Sequence, residues 1–121
     1  LNVKCKILTS SLKPPEGGAV LYYLFKNINN YYSFHVCIHK RKIEIIKRYQ
    51  GVWSTIAEQE YDFTTNKGYW ITINASAGVH QFKIDGYNQL EVLDDDISKG
   101  CVGIGAKYCD VEFGHVSLSI P

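Results

Sequence analysis

The chain has 121 residues, the size of one domain with one sizeable core. Thirteen basic and twelve acidic residues leave a net charge of +1, which excludes the one-sided positive field of a dedicated nucleic-acid binder. Apolar residues at 45% and aromatics at 13% exclude a disordered chain, and no apolar run is long enough to span a bilayer.

Period-two alternation with β-branched and aromatic residues predicts ten strands and no helix. In chain order they cover Val3 to Leu8, Ala19 to Phe25, Tyr31 to His39, Lys42 to Tyr49, Ser54 to Tyr61, Tyr69 to Ala75, Val79 to Ile84, Gln89 to Leu93, Cys101 to Ala106 and Val111 to Ile120. Turn residues separate them: Lys13 to Gly18, Asn27 to Asn30, Asn66-Lys67-Gly68, Ser76-Ala77-Gly78, Asp85-Gly86 and Asp94-Asp95-Asp96. About ten short antiparallel strands suit two packed sheets, and residues 1–121 read as one β-sandwich domain with no repeat or linker. With no methionine, and with Leu1 running into a predicted strand, the chain is expected to be a piece of a longer protein.

Four cysteines, Cys5, Cys37, Cys101 and Cys109, lack the CxxC pairs of zinc sites and predict two disulfides. The pairing is open. If Cys101 and Cys109 bracket one extended strand, roughly 3.3 Å per residue holds them beyond bonding distance. Asn74-Ala75-Ser76 is an N-glycosylation sequon, and with the cysteines it points to a secreted or cell-surface setting.

The order of short motifs carries a resemblance across almost the whole chain. Gly18 to Tyr23, Asn30-Tyr31-Tyr32 and Gly51-Val52-Trp53 look like the first half of a concanavalin A/laminin-G-like jelly roll. Gly68-Tyr69-Trp70-Ile71-Thr72-Ile73 with Phe82-Lys83-Ile84-Asp85-Gly86, then Gly100 to Gly105 and Phe113-Gly114-His115-Val116, resemble its second half. The resemblance implies an all-β, two-sheet antiparallel sandwich, with Trp70, Phe82 and Phe113 at core positions. It implies fold rather than activity, since the fold hosts lectins, adhesion domains and glycosidases alike. Many sugar-active relatives carry a Phe-Arg pair in the second strand, where this chain has Tyr23-Leu24. That departure implies binding by edge and loops rather than in the usual sugar pocket.

Candidate chemistry is sparse. Glu58, Glu60 and Asp62 would share one strand face at steps of roughly 6.5–7 Å, but on a peripheral strand they read as a solvated edge rather than a glycosidase pair. His35, Cys37 and His39 alternate, yet lack a fourth zinc ligand. No nucleophile elbow or phosphate-cradling glycine loop is present. Asp94, Asp95 and Asp96 are the calcium candidates, in a run that reads first as a polar turn; otherwise no cofactor is expected.

The candidate ligand-binding residues are Lys40, Arg41, Lys42 and Arg48, with Lys47 nearby, from a basic hairpin, together with Tyr22 and Tyr31. In the Tyr22-Tyr23 and Tyr31-Tyr32 pairs, alternation sends one ring to the core and one outside. The expectation is a non-catalytic extracellular binding module for a glycan, anionic glycans included, or a protein receptor. The alternatives are a glycoside hydrolase-related or accessory domain, and a domain that packs against others in a larger surface assembly.

Overall fold

The computed structural model describes residues 2–9, 18–37, 40–64, 68–107 and 111–119, with side chains described for 20–37, 40–64 and 68–103. Ten strands form among these residues: β1 Asn2–Thr9, β2 Gly18–Asn27, β3 Asn30–Cys37, β4 Lys42–Tyr49, β5 Val52–Glu60, β6 Gly68–Ser76, β7 Val79–Ile84, β8 Tyr87–Leu93, β9 Cys101–Lys107 and β10 Val111–Ser119. Each expected strand is present, with ends shifted by at most two residues where both ends are described. The strands make two five-stranded antiparallel sheets, in the orders β10-β1-β6-β7-β8 and β5-β4-β3-β2-β9.

The chain's alternation drives this arrangement. On β3 and β4 the inward row is Tyr32, Phe34, Val36, Ile43 and Ile45, and on β6 it is Tyr69, Ile71, Ile73 and Ala75; these residues are buried. Phe34 of one sheet stacks on Phe82 of the other with ring centroids 3.9 Å apart, which joins the two layers at their centre. Burying each such side chain contributes roughly 1.5–3 kcal/mol, so the sandwich rests on this apolar interior. Tight turns fix the register. Asp85-Gly86 closes β7 on β8 with φ of 51° and 84°, the primed geometry that matches strand twist, and Gln50-Gly51 and Ala77-Gly78 do the same for their hairpins.

Three expectations need correction. Trp70 faces away from the core and is half-buried, because Tyr69, Ile71 and Ile73 occupy the inward row of β6; Phe82 is fully buried as expected, and the Phe113 side chain lies outside the described residues. The two-disulfide framework does not form: Cys37 and Cys101 are both free. They pair with opposite ends of β2, Cys37 with Gly18 and Cys101 with Phe25, roughly 23 Å apart at 3.3 Å per residue. The side chains of Cys5 and Cys109 lie outside the described residues. Third, Lys47 does not join the other cations of its hairpin, for it lies on the opposite face of β4 from Arg48 and reaches the Asp94 segment.

One irregularity shapes the surface. Leu24 in the middle of β2 has φ 48°, and the registers of β2 with β3 and with β9 both shift around it, so the strand carries a bulge. Tyr23 and Leu24 are both buried, and Phe25, which strict alternation would send inward with Tyr23, turns outward. Gly100 lies against this bulge: a Cβ there would stand 2.2 Å from the Leu24 carbonyl carbon.

Candidate functional site

The outer face of the β5-β4-β3-β2-β9 sheet carries an aromatic end and a charged end. At the aromatic end, register pairs Tyr31 with Arg48 and Arg48 with Trp53, so three consecutive strands set these side chains in one row. Trp53 is 62% exposed although it is the largest side chain of the row. The Arg48 guanidinium lies over its ring, 4.1 Å from the centroid, and the indole Nε1–H donates to the Tyr31 hydroxyl at 3.2 Å. Tyr31 in turn stacks on Phe25 at 5.1 Å, and Tyr22 meets both rings edge-on at 5.5 and 6.1 Å. The Arg48 Nη2–H reaches the Asn29 side-chain oxygen at 3.4 Å, while Arg48 Nε is buried with no hydrogen-bond partner among the described residues. Burial, then the neighbouring Tyr31, raises the Tyr22 pKa, so its hydroxyl stays a neutral donor.

The next row, Ser33, Ile46 and Thr55, separates this end from the charged end, where His35, Glu44 and Glu58 are followed by Cys37, Lys42 and Glu60. Lys42 Nζ bridges Glu44 at 3.3 Å and Glu58 at 3.5 Å. Ser33 Oγ and His35 Nε2 share a hydrogen bond at 2.9 Å. Burial, and then Glu44, push the Cys37 thiol up to about 11, so it is protonated and lies 3.6 Å from the Glu44 carboxylate. Arg41, at the hairpin tip with φ 51°, meets Asp62 at 3.6 Å with both side chains well exposed.

The six sequence-derived ligand candidates therefore separate. Tyr22, Tyr31 and Arg48 come together with two residues that alternation did not single out, Trp53 and Phe25. Lys40, Arg41 and Lys42 lie at the far end of the same hairpin, where Arg41 and Lys42 are matched by carboxylates. Glu58, Glu60 and Asp62 lie on or just after the edge strand β5 and are exposed, as a solvated edge requires. His39 lies outside the described residues.

The Asp94 to Asp96 segment is a structural clamp rather than a calcium loop. Lys47 Nζ reaches Asp94 at 2.7 Å and Asp96 at 2.6 Å, so the cation at this turn is the protein's own. Among the described residues no three His, Cys, Asp or Glu side chains are gathered to hold a metal. Tyr32 donates to Asp94 Oδ1 at 2.5 Å, and its oxygen accepts the Ile97 backbone N–H at 3.3 Å. His80 donates from Nε2 to the Asp94 carbonyl at 2.7 Å and accepts the Tyr23 hydroxyl at Nδ1, 2.9 Å. Burial lowers the His80 pKa below its ordinary value, so the ring is neutral and this tautomer is fixed. Burial alone would raise the Asp94 pKa, but the Lys47 and Tyr32 hydrogen bonds outweigh it and hold the carboxyl below its usual range.

No protein-family model matches the chain, and no curated protein matches it in sequence. Solved structures do match. The carbohydrate binding module CBM66 from Bacillus subtilis superposes with a TM-score of 0.84 at 21% identity, covering 95% of this chain and 71% of that one. Sheep galectin-11, solved with glycerol, gives 0.78 at 11% identity over 96% of this chain and 86% of its own. The GH43 protein BlXynB from Bacillus licheniformis gives 0.70 at 13% identity, and 93% of this chain covers 26% of that protein. At these identities the likeness is one of fold, and the fold is the concanavalin A-like jelly-roll β-sandwich that the ordered motifs imply.

Proposed function

We propose that this domain is a non-catalytic, extracellular glycan-binding module that takes its ligand on the outer face of the β5-β4-β3-β2-β9 sheet. The row Tyr31–Arg48–Trp53 carries the reading: an exposed indole, braced by a guanidinium and a phenol, is a rigid surface on which the apolar face of a sugar ring stacks. His35 and Glu44, further along the same face and partly exposed, are the polar groups open to hydroxyls. The carbohydrate-binding neighbour of the same fold supports the ligand class, and the outward-facing sequon at Asn74 supports the extracellular setting.

Catalysis is disfavoured by the same geometry. A retaining pair needs one carboxyl raised in pKa within a water-excluding cleft, whereas Glu44 and Glu58 share the cation of Lys42 and Glu58 is 60% exposed. The likeness to one quarter of a GH43 protein favours a second setting for this reading, as an accessory module attached to a glycoside hydrolase. The test is a glycan array followed by calorimetry on the wild type and Trp53→Ala. Binding to a defined glycan class, weakened at least tenfold by the substitution, is expected; an array without hits, or unchanged affinity in Trp53→Ala, overturns the proposal.

A further inference from the structure

Beside the aromatic end lies a cavity of about 630 Å³, within the usual size range of ligand pockets. It opens where the β2–β3 hairpin, the β4–β5 turn and the segment 96–101 converge, and Phe25 is common to its wall and to the aromatic cluster. Its walls are preformed. The Gln50 backbone N–H donates to Asn30 Oδ1 at 3.0 Å and the Gly51 N–H to the Asn29 carbonyl at 3.1 Å, tying the two turns together. The third wall is held by the Lys47–Asp94–Asp96 clamp and by the close seat of Gly100 on the β2 bulge.

The lining is polar and leans positive. Lys26 and Lys99, both exposed, enter from two different segments, and Ser98 and Gln50 add neutral hydrogen-bonding groups. Asp96 is the carboxylate among the lining residues; it and Asp94 share Lys47, which leaves one negative charge against two lysines. Asp95 lines a separate hollow beside Gly78.

We propose that this cavity is a second subsite, taking an anionic terminal sugar of a glycan whose preceding residues lie on the Trp53–Tyr31 platform. The inference rests on the glycan-binding reading and adds the charge of the end group and its location. Phe25 provides the continuity from platform to pocket, and Lys26 and Lys99 neutralise the carboxylate or sulfate of the end group.

Calorimetry with matched oligosaccharides tests it: one set capped by glucuronate, one by sialic acid, one by 6-sulfated galactose, and one by neutral galactose. Wild type, a Lys26→Ala/Lys99→Ala double variant and Trp53→Ala are compared, with thermal unfolding as the folding control. At least one anionic cap should bind tenfold or more tightly than the neutral one, and the lysine variant should erase that advantage while leaving neutral binding unchanged. Carboxylate and sulfate arms identify the anion. Site-resolved alkylation of the free, exposed Cys101 at the pocket rim should slow when the preferred cap is bound. Equal affinity for charged and neutral caps, or an anionic advantage that survives the lysine variant, overturns the subsite. If Trp53→Ala alone loses binding, the platform stands and the pocket falls; if the lysine variant alone loses it, the platform reading falls instead.

Discussion

Arg48 and Arg41 belong to the same hairpin and carry the same charge, yet their surroundings differ. Arg41 meets Asp62 across solvent at the turn, where both side chains are well exposed and an ion pair contributes about 0–1 kcal/mol. Arg48 is laid on the Trp53 ring and anchored to Asn29, so its position is set before any ligand arrives. A cluster of cations in sequence therefore locates a hairpin tip, and ring packing separates a braced cation from a solvated one. Preorganisation, more than charge count, distinguishes the two ends of the face.

The strongest way to break this contrast is Gly100→Ala. The added methyl has no room against the Leu24 backbone, so the bulge or the 94–100 segment must move, and a loss of about 1–3 kcal/mol is expected in denaturant unfolding. The aromatic end should lose ligand at the same time, because Phe25 is placed by that bulge; unchanged stability would show that the seat is not tight. Next, Trp53→Ala should remove about 1.5–3 kcal/mol of glycan binding, roughly tenfold to a hundredfold, with unfolding nearly unaltered because the indole is exposed.

A third test concerns the clamp beneath the aromatic end. The folded His80 pKa is lowered, so the unfolded chain binds the extra proton first. Stability is then full above the ordinary histidine value of 6.5 and declines as pH falls below it, by at most ~1.4 kcal/mol per pH unit. Asp94, also lowered, adds a further loss of the same sign when acid reaches the carboxylate range below 3.8. Urea midpoints from pH 8 to 3 read this slope, and His80→Gln should flatten its upper part. The smallest effect belongs to the Lys40→Ala/Arg41→Ala/Lys42→Ala triple variant: less than about threefold on binding of a neutral glycan, since these cations are solvated or matched by carboxylates. A loss as large as that of Trp53→Ala would reverse the ranking of the two ends.

Most of the fold was legible because period two is written along the chain. The buried rows of β3, β4 and β6 follow from it, as does the division of Tyr22 from Tyr23 and of Tyr31 from Tyr32. What escaped is what period two does not encode. The bulge at Leu24 breaks the alternation that would bury Phe25, and no local residue announces it. Trp70 reads as core by analogy, yet its neighbour Tyr69 holds the inward position. Lys47 alternates correctly to the inner side, but its partners Asp94 and Asp96 are 47 and 49 residues away. Trp53 could have been found by aligning the β4–β5 hairpin about Gln50-Gly51, which sets it opposite Arg48.

The tyrosine pairs assign adjacent residues to opposite tasks: Tyr23 and Tyr32 stack inside the sandwich at 5.4 Å, while Tyr22 and Tyr31 face outward. Losing or gaining one residue within β2 or β3 would exchange these roles at once, burying the outer ring and expelling a core ring that holds His80 or Asp94. The strands are therefore intolerant of length change even where their outward side chains are free to vary. Insertions and deletions in homologous sequences should fall in the turns, while the outward face should change by substitution within a fixed reading frame of strands.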